Sequence, residues 1–215
     1  MWDLDIAQIS FYKGLEFNLE HIKVCARACR KEGVPYVIHP VGYRITDPEM
    51  FNEINSVTAL ADEALILHDE RASDKGRLGG TDGKQFKKAL DALTSRLHVS
   101  FENATHTKDI VWFWQHYADS VTIDLGHVES AGLDSVEFVK KLDQEIVDKT
   151  EYIHVHRNGD FRNGLTDHWY LTPDCRELSA LSAFIKRKPD VSVILEINEI
   201  EMIEESLMIL RKMRK

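Results

Sequence analysis

Short runs rich in β-branched and aliphatic residues recur along this chain, each followed by a stretch whose apolar residues return with helical period. The runs are Leu4–Ile9, Val34–Ile38, Leu65–Leu67, Leu97–Phe101, Val121–Ile123, Tyr152–Val155 and Val191–Leu195. Between them, Ile22, Cys25 and Cys29 mark one helical face, Val136, Val139 and Ile146 another, and Ile200, Ile203, Leu207 and Leu210 the last. A strand with one face in water alternates apolar and polar residues, whereas nearly continuous apolar runs need cover on both faces. Parallel strands sandwiched by helices meet that need. Right-handed crossovers then carry such a sheet into a doubly wound fold or a barrel.

At 215 residues the chain suits a single domain, residues 1–215, with ample core. Its apolar runs fall well short of the ~20 residues a membrane span needs. The start, Met1-Trp2-Asp3-Leu4-Asp5, does not resemble a secretory signal, so a cytoplasmic protein is expected. Cys25, Cys29 and Cys175 give no disulfide framework, and the first two are expected to pack as small buried hydrophobes. A net charge of −9 leaves no broad basic surface for a phosphate backbone. A local basic rim or a bound metal could still reverse that field, so a nucleic-acid partner is made less expected rather than excluded.

Six consecutive strand runs end in a residue able to bind a metal: His39, His68, Glu102, Asp124, His154 and Glu196. His, Asp and Glu make up about a fifth of the chain. Six in a row would arise by chance only about once in ten thousand trials, before allowing for freedom in placing strand ends. In a parallel barrel the carboxyl ends of all strands share one face, where active sites are found. A lone His at a strand end is commonly a hydrogen-bonded core residue, and a lone Asp or Glu the N-cap of the next helix. Taken together the six point to a metal site, because unpaired carboxylates crowded onto one face repel.

The motifs Phe101-Glu102-Asn103, Ile123-Asp124-Leu125-Gly126-His127, His154-Val155-His156-Arg157-Asn158, Asp167-His168 and Leu195-Glu196, with Ile38-His39-Pro40 and Leu67-His68, resemble the xylose isomerase-like TIM barrels. That superfamily includes sugar isomerases and epimerases and the AP endonuclease family 2 enzymes of the endonuclease IV type. The resemblance runs from about Val34 to Glu196 and implies a TIM-type parallel β/α barrel. It also implies a central metal held by Glu102, Asp124, His154 and Glu196. His39 and His68 match histidines that, with Glu102, hold a further metal in the endonucleases, and His127 and His168 match a third site there. Where that third site expects an Asp, this chain has Thr166, with Asp167 beside it. Only about seven strands are countable against the eight of a closed barrel, as if the chain began at the family's second strand. An incomplete barrel would expose strand edges that an N-terminal segment or a homodimer partner must cover.

The ligand set, nitrogen and oxygen without thiolate, suits one to three ions of Zn²⁺, Mn²⁺, Mg²⁺, Co²⁺ or Fe²⁺. In the isomerase or epimerase reading, Glu102 and Glu196 are catalytic. They remove and return a carbon-bound proton of a small carbohydrate-like substrate through an enediolate. In the alternative, an endonuclease IV-like phosphodiesterase, Glu102 bridges two ions and the substrate is nucleic acid. A third reading is a non-catalytic barrel that keeps a metal or ligand. His156, Arg157, Asn158, Arg162, Asp167 and Trp169 are expected to face substrate. The stretch from Arg71 to Lys84 reads as a Gly-rich loop that could cradle a phosphate or simply be solvated. Trp112 and Trp114 read as helix-packing residues.

Overall fold

A computed structural model describes residues 6–104, 107–158, 168–197 and 200–213. Contacts divide the chain into two compact units, one spanning residues 1–106 with 112–120 and the other 107–111 with 121–215.

The first unit carries β1 (Ala7–Tyr12), β2 (Tyr36–Val41), β3 (Ala64–His68) and β4 (Val99–Glu102), parallel and in chain order. Helices α1 (Leu19–Glu32), α2 (Pro48–Val57) and α3 (Gly80–Thr94) connect them, and α4 (Ile110–Tyr117) lies in this unit from Trp112 onward. The starts and stops are chemical. The Asn18 side chain accepts from the His21 backbone N–H, satisfying one orphan donor of α1, and Gly33 ends that helix in the left-handed conformation. Asp47 caps α2 ahead of Pro48, whose fixed φ suits a first helical position. Tyr36, Val37, Ile38, Leu65, Ile66 and Leu67 are fully buried, as the nearly continuous apolar runs require. Behind β4, Phe86, Phe101 and Phe113 interlock edge to face. Trp114 is buried beside them, with its indole N–H donating to the Phe101 carbonyl at 2.9 Å. The expected packing role holds for Trp114; Trp112 is half-buried and stacks on His116.

The second unit holds β5 (Ser120–Asp124) from Val121 onward, α5 (Leu125–Ser130), α6 (Ser135–Lys141), α7 (Gln144–Lys149), β6 (Thr150–Val155), α8 (Arg176–Ile185), β7 (Ser192–Leu195) and α9 (Ile200–Met213). Its strands are also parallel and in chain order. Val121, Ile123, Ile153 and Val155 are buried with Leu181 and Phe184 of α8.

Seven strands are found among the described residues, the number expected. Four details differ from expectation. The β2 strand continues past His39 to Val41. The helical face marked by Val136, Val139 and Ile146 is two helices, broken where Leu142 and Asp143 turn extended. The Arg187 guanidinium makes that break tolerable by donating to the Val139 carbonyl at 2.7 Å and the Leu142 carbonyl at 2.8 Å. The Gly-rich stretch is a loop only as far as Gly79, because α3 begins at Gly80. Cys25 and Cys29 are half-buried rather than buried, flanking the inward stripe of Ile22 and Ala26. No described helix is long and apolar enough to cross a membrane.

Candidate metal centres

The first unit brings His39, His68 and Glu102 together. Leu67 and His68 of β3 stand in register with Phe101 and Glu102 of β4, so the two strands deliver His68 and Glu102 side by side. His39 Nδ1 lies 3.0 Å from the Ile66 carbonyl oxygen, which can only accept, so Nδ1 carries the proton. Its Nε2 faces Glu102 Oε2 at 3.2 Å, and His68 Nε2 lies 3.7 Å from the same oxygen. A nitrogen lone pair turned toward a carboxylate oxygen is stable only with positive charge between them, a further proton or a cation. The three ligand atoms lie within 4.8 Å of one another, and His39 and Glu102 are buried, so the donor set fits a divalent ion.

The flanking chain is pinned. Asp69 donates its backbone N–H to the Glu102 carbonyl at 3.0 Å and accepts from the Ala104 N–H at 2.8 Å, fixing the exit of β4. The buried Glu70 carboxylate accepts from the Ile45 backbone N–H, from the Thr46 hydroxyl at 2.6 Å and from Arg44 Nε at 3.4 Å. Burial pushes the Glu70 carboxyl above the usual range, although Thr46, Ile45 and Arg44 all pull the other way.

The second unit assembles Asp124, His154 and Glu196 around another centre. Asp124 and His154 are register partners at the ends of β5 and β6. Glu196 follows β7 directly, with its backbone N–H donating to the Val155 carbonyl at 3.2 Å. His154 Nδ1 is 3.3 Å from Glu196 Oε1 and 4.0 Å from Asp124 Oδ2. Their ligand atoms also lie within 4.8 Å of one another, and nitrogen flanked by two carboxylates is again a set that fits a divalent ion.

Asp124 is in addition the N-cap of α5. Its Oδ1 accepts from the His127 backbone N–H at 2.7 Å, while Oδ2 lies 3.5 Å from His127 Nδ1. The bland strand-end role of a carboxylate is thus real at Asp124 and occupies one oxygen. That same Oδ1 stands 3.2 Å from Nε2 of His156, which is fully buried. His156 Nδ1 accepts the His168 backbone N–H at 2.9 Å. The two imidazoles stack at 4.3 Å between centroids, and His168 Nδ1 approaches Glu196 Oε2 at 3.8 Å. His168 presents its N–H from a left-handed backbone, φ +58°, uncommon outside glycine. Burial opposes a charged His156, but the Asp124 carboxylate overcomes it and raises the ring's pKa, helped by Glu196 and opposed by His127.

His127, His156 and His168 also offer ligand atoms within 4.8 Å of one another. His156, expected to face substrate, is fully buried, and its packing against Asp124 and His168 carries no strong sequence signal. The nearest is Gly126, where an added Cβ would overlap the His156 ring.

The residues expected to face substrate divide three ways. Arg157 and Trp169 pair backbone to backbone at 3.0 Å in both directions, and the Arg157 guanidinium lies over the Tyr170 ring at 5.1 Å. Asn158 is tied inward, donating from its side chain to the Gly126 carbonyl at 3.1 Å and from its backbone to Glu177 Oε1 at 3.1 Å. Arg162 and Asp167, like Thr166, lie outside the described residues. Glu102 belongs to the first unit, and Asp124, His154 and Glu196 to the second.

No family model and no curated protein sequence matches the chain. Solved structures do. A D-tagatose 3-epimerase-like protein is similar over 99% of this chain and 89% of its own, with a TM-score of 0.70 at 16% identity. A xylose isomerase-like TIM barrel/4-hydroxyphenylpyruvate dioxygenase fusion protein matches 98% of this chain with a TM-score of 0.61 at 12% identity. The chain spans 38% of that longer protein. A likeness running over nearly the whole length shows the fold. It is α/β, a TIM-type parallel β/α barrel.

Proposed function

We propose that the protein is a metal-dependent isomerase or epimerase acting on a sugar, sugar phosphate or related hydroxy-carbonyl compound. The observation that carries this is His154, fully buried with Asp124, standing between Glu196 Oε1 and Asp124 Oδ2 at 3.3 and 4.0 Å. Asp124, His154 and Glu196 would hold the ion. Glu102 is added as fourth ligand on the fold class, whose strand carboxyl ends share one face. A bound divalent cation supplies Lewis-acid polarisation of the substrate's carbonyl and hydroxyl oxygens, which lowers the acidity barrier at the carbon between them. Glu196 turns one oxygen to His154 and the other toward His168, so a single carboxyl can both bind and accept the carbon-bound proton. Glu102, the other carboxyl expected to be catalytic, would return a proton to the enediolate. Arg157, Asn158 and Trp169, with Arg162 and Asp167, are assigned to substrate, and His127 stays a ligand candidate of a further ion. A single 215-residue domain, a homodimer covering barrel edges and a cytoplasmic location belong to the same reading.

The test is deuterium uptake. Protein reconstituted with Mn²⁺ or Co²⁺ is incubated in D₂O with a panel of ketoses and ketose phosphates. Label at the carbon beside the carbonyl, lost in Glu196→Gln, supports the reading, and no label across the panel counts against it.

One observation favours a second reading. An epimerase does not require the His39–His68–Glu102 cluster, whereas an endonuclease IV-like phosphodiesterase does, using two or three ions to clamp a phosphate in line. Cleavage of an abasic oligonucleotide by the metal-loaded protein, with no deuterium uptake, would move the assignment there.

A further inference from the structure

We infer that His156 is a positioning residue: its imidazole stands between the His168 backbone and Asp124 and so fixes the rotation of the Asp124 carboxylate that turns an oxygen toward His154. The inference rests on the metal reading above and concerns residues of the second unit alone.

Tautomer logic carries it. A backbone N–H can only donate, so His156 Nδ1, 2.9 Å from His168 N, must be the acceptor. The proton of a neutral ring therefore sits on Nε2, which faces Asp124 Oδ1 at an ion-pair distance of 3.2 Å. Oδ1 also accepts the His127 backbone N–H at 2.7 Å. The His127 N–H and the His156 ring both face Oδ1, which fixes the rotation of the carboxylate and keeps its other oxygen on the side of His154 and His127. With Nδ1 accepting from the His168 N–H and Nε2 turned to Asp124, His156 is assigned to act through Asp124. The three-histidine set with His127 and His168 is then a by-product of that packing.

The position is built for this. His156 is fully buried, stacked on His168 and seated over Gly126, where a Cβ would collide with the ring. Residues that orient a metal-binding side chain commonly change affinity by about 10–100-fold when lost.

The probe is Co²⁺ titrated into the full-length protein, read by dissociation constant and by the visible d–d absorption of the bound ion. Thermal unfolding of the metal-free protein is measured alongside. His156→Gln can present an amide N–H near the Nε2 position and should stay within about threefold of wild type. His156→Asn reaches only the Nδ1 position, and Gly126→Ala displaces the ring without touching any ligand. Both should weaken Co²⁺ binding by about 10–100-fold and alter the absorption envelope. Equal affinity in all three variants overturns the inference while leaving the metal reading intact. Loss of binding in Gln and Asn alike also overturns it, because it makes His156 a ligand or a packing residue. If the wild-type protein binds no Co²⁺, the metal reading fails and the inference falls with it.

Discussion

The two clusters orient their histidines by different means. In the first unit the Ile66 backbone carbonyl, inside a buried strand, sets the proton on His39. In the second, side chains set one another: the Asp124 carboxylate meets His156, and His156 is held by the N–H of a left-handed residue, His168. A ligand wired to a strand carbonyl is as rigid as the sheet. One wired through loop and side chains depends on every member, and substitutions two steps from the ion should be felt there.

The largest break of that contrast is Glu196→Gln. It keeps the size of the side chain and removes the proposed base, so turnover should fall by about 10²–10⁴-fold in the deuterium-uptake assay. A drop of less than tenfold would take Glu196 out of the chemistry. His68→Ala, a half-buried change in the first unit, should remove one metal ion per chain by elemental analysis if that cluster holds its own. Its effect on epimerisation should be far smaller than that of Glu196→Gln; comparable losses would merge the two clusters into one machine.

The smallest effect is on stability. Burial raises the folded-state pKa of Glu70. Its stabilising contribution is therefore full below the ordinary carboxyl range and is lost as pH rises through the raised folded value. Glu70→Gln should flatten that slope, so melting temperatures of variant and wild type shift relative to each other across this window and run parallel above it. Parallel curves throughout would show that Glu70 titrates normally.

The strands were legible because burial on both faces forces near-continuous apolar runs, as at Val121–Ile123 and Leu65–Leu67. His68, Glu102 and Asp124 are the last residues of their strands, as read. His39 is not, because Pro40 looks like a stop yet sits inside β2. The β2–β3 ladder pairs Val37 with Ala64 and Ile38 with Leu65, so a proline further on breaks no rung there. The α6–α7 break was hidden because its stabiliser, Arg187, is more than forty residues away. Individual ligand candidates were visible as residue types at strand ends. Which oxygen or nitrogen each commits, and to whom, is tertiary information, and His156 shows it most clearly.

Asp124 holds the first turn of α5 through the same carboxylate it turns toward His154. A descendant of this protein that lost the proposed ion would still gain about 0.5–2 kcal/mol from a capping side chain there, and aspartate serves as one. Retention of Asp124 among relatives is thus a poor marker of surviving activity, and decay of function should show first at Glu196 and His154.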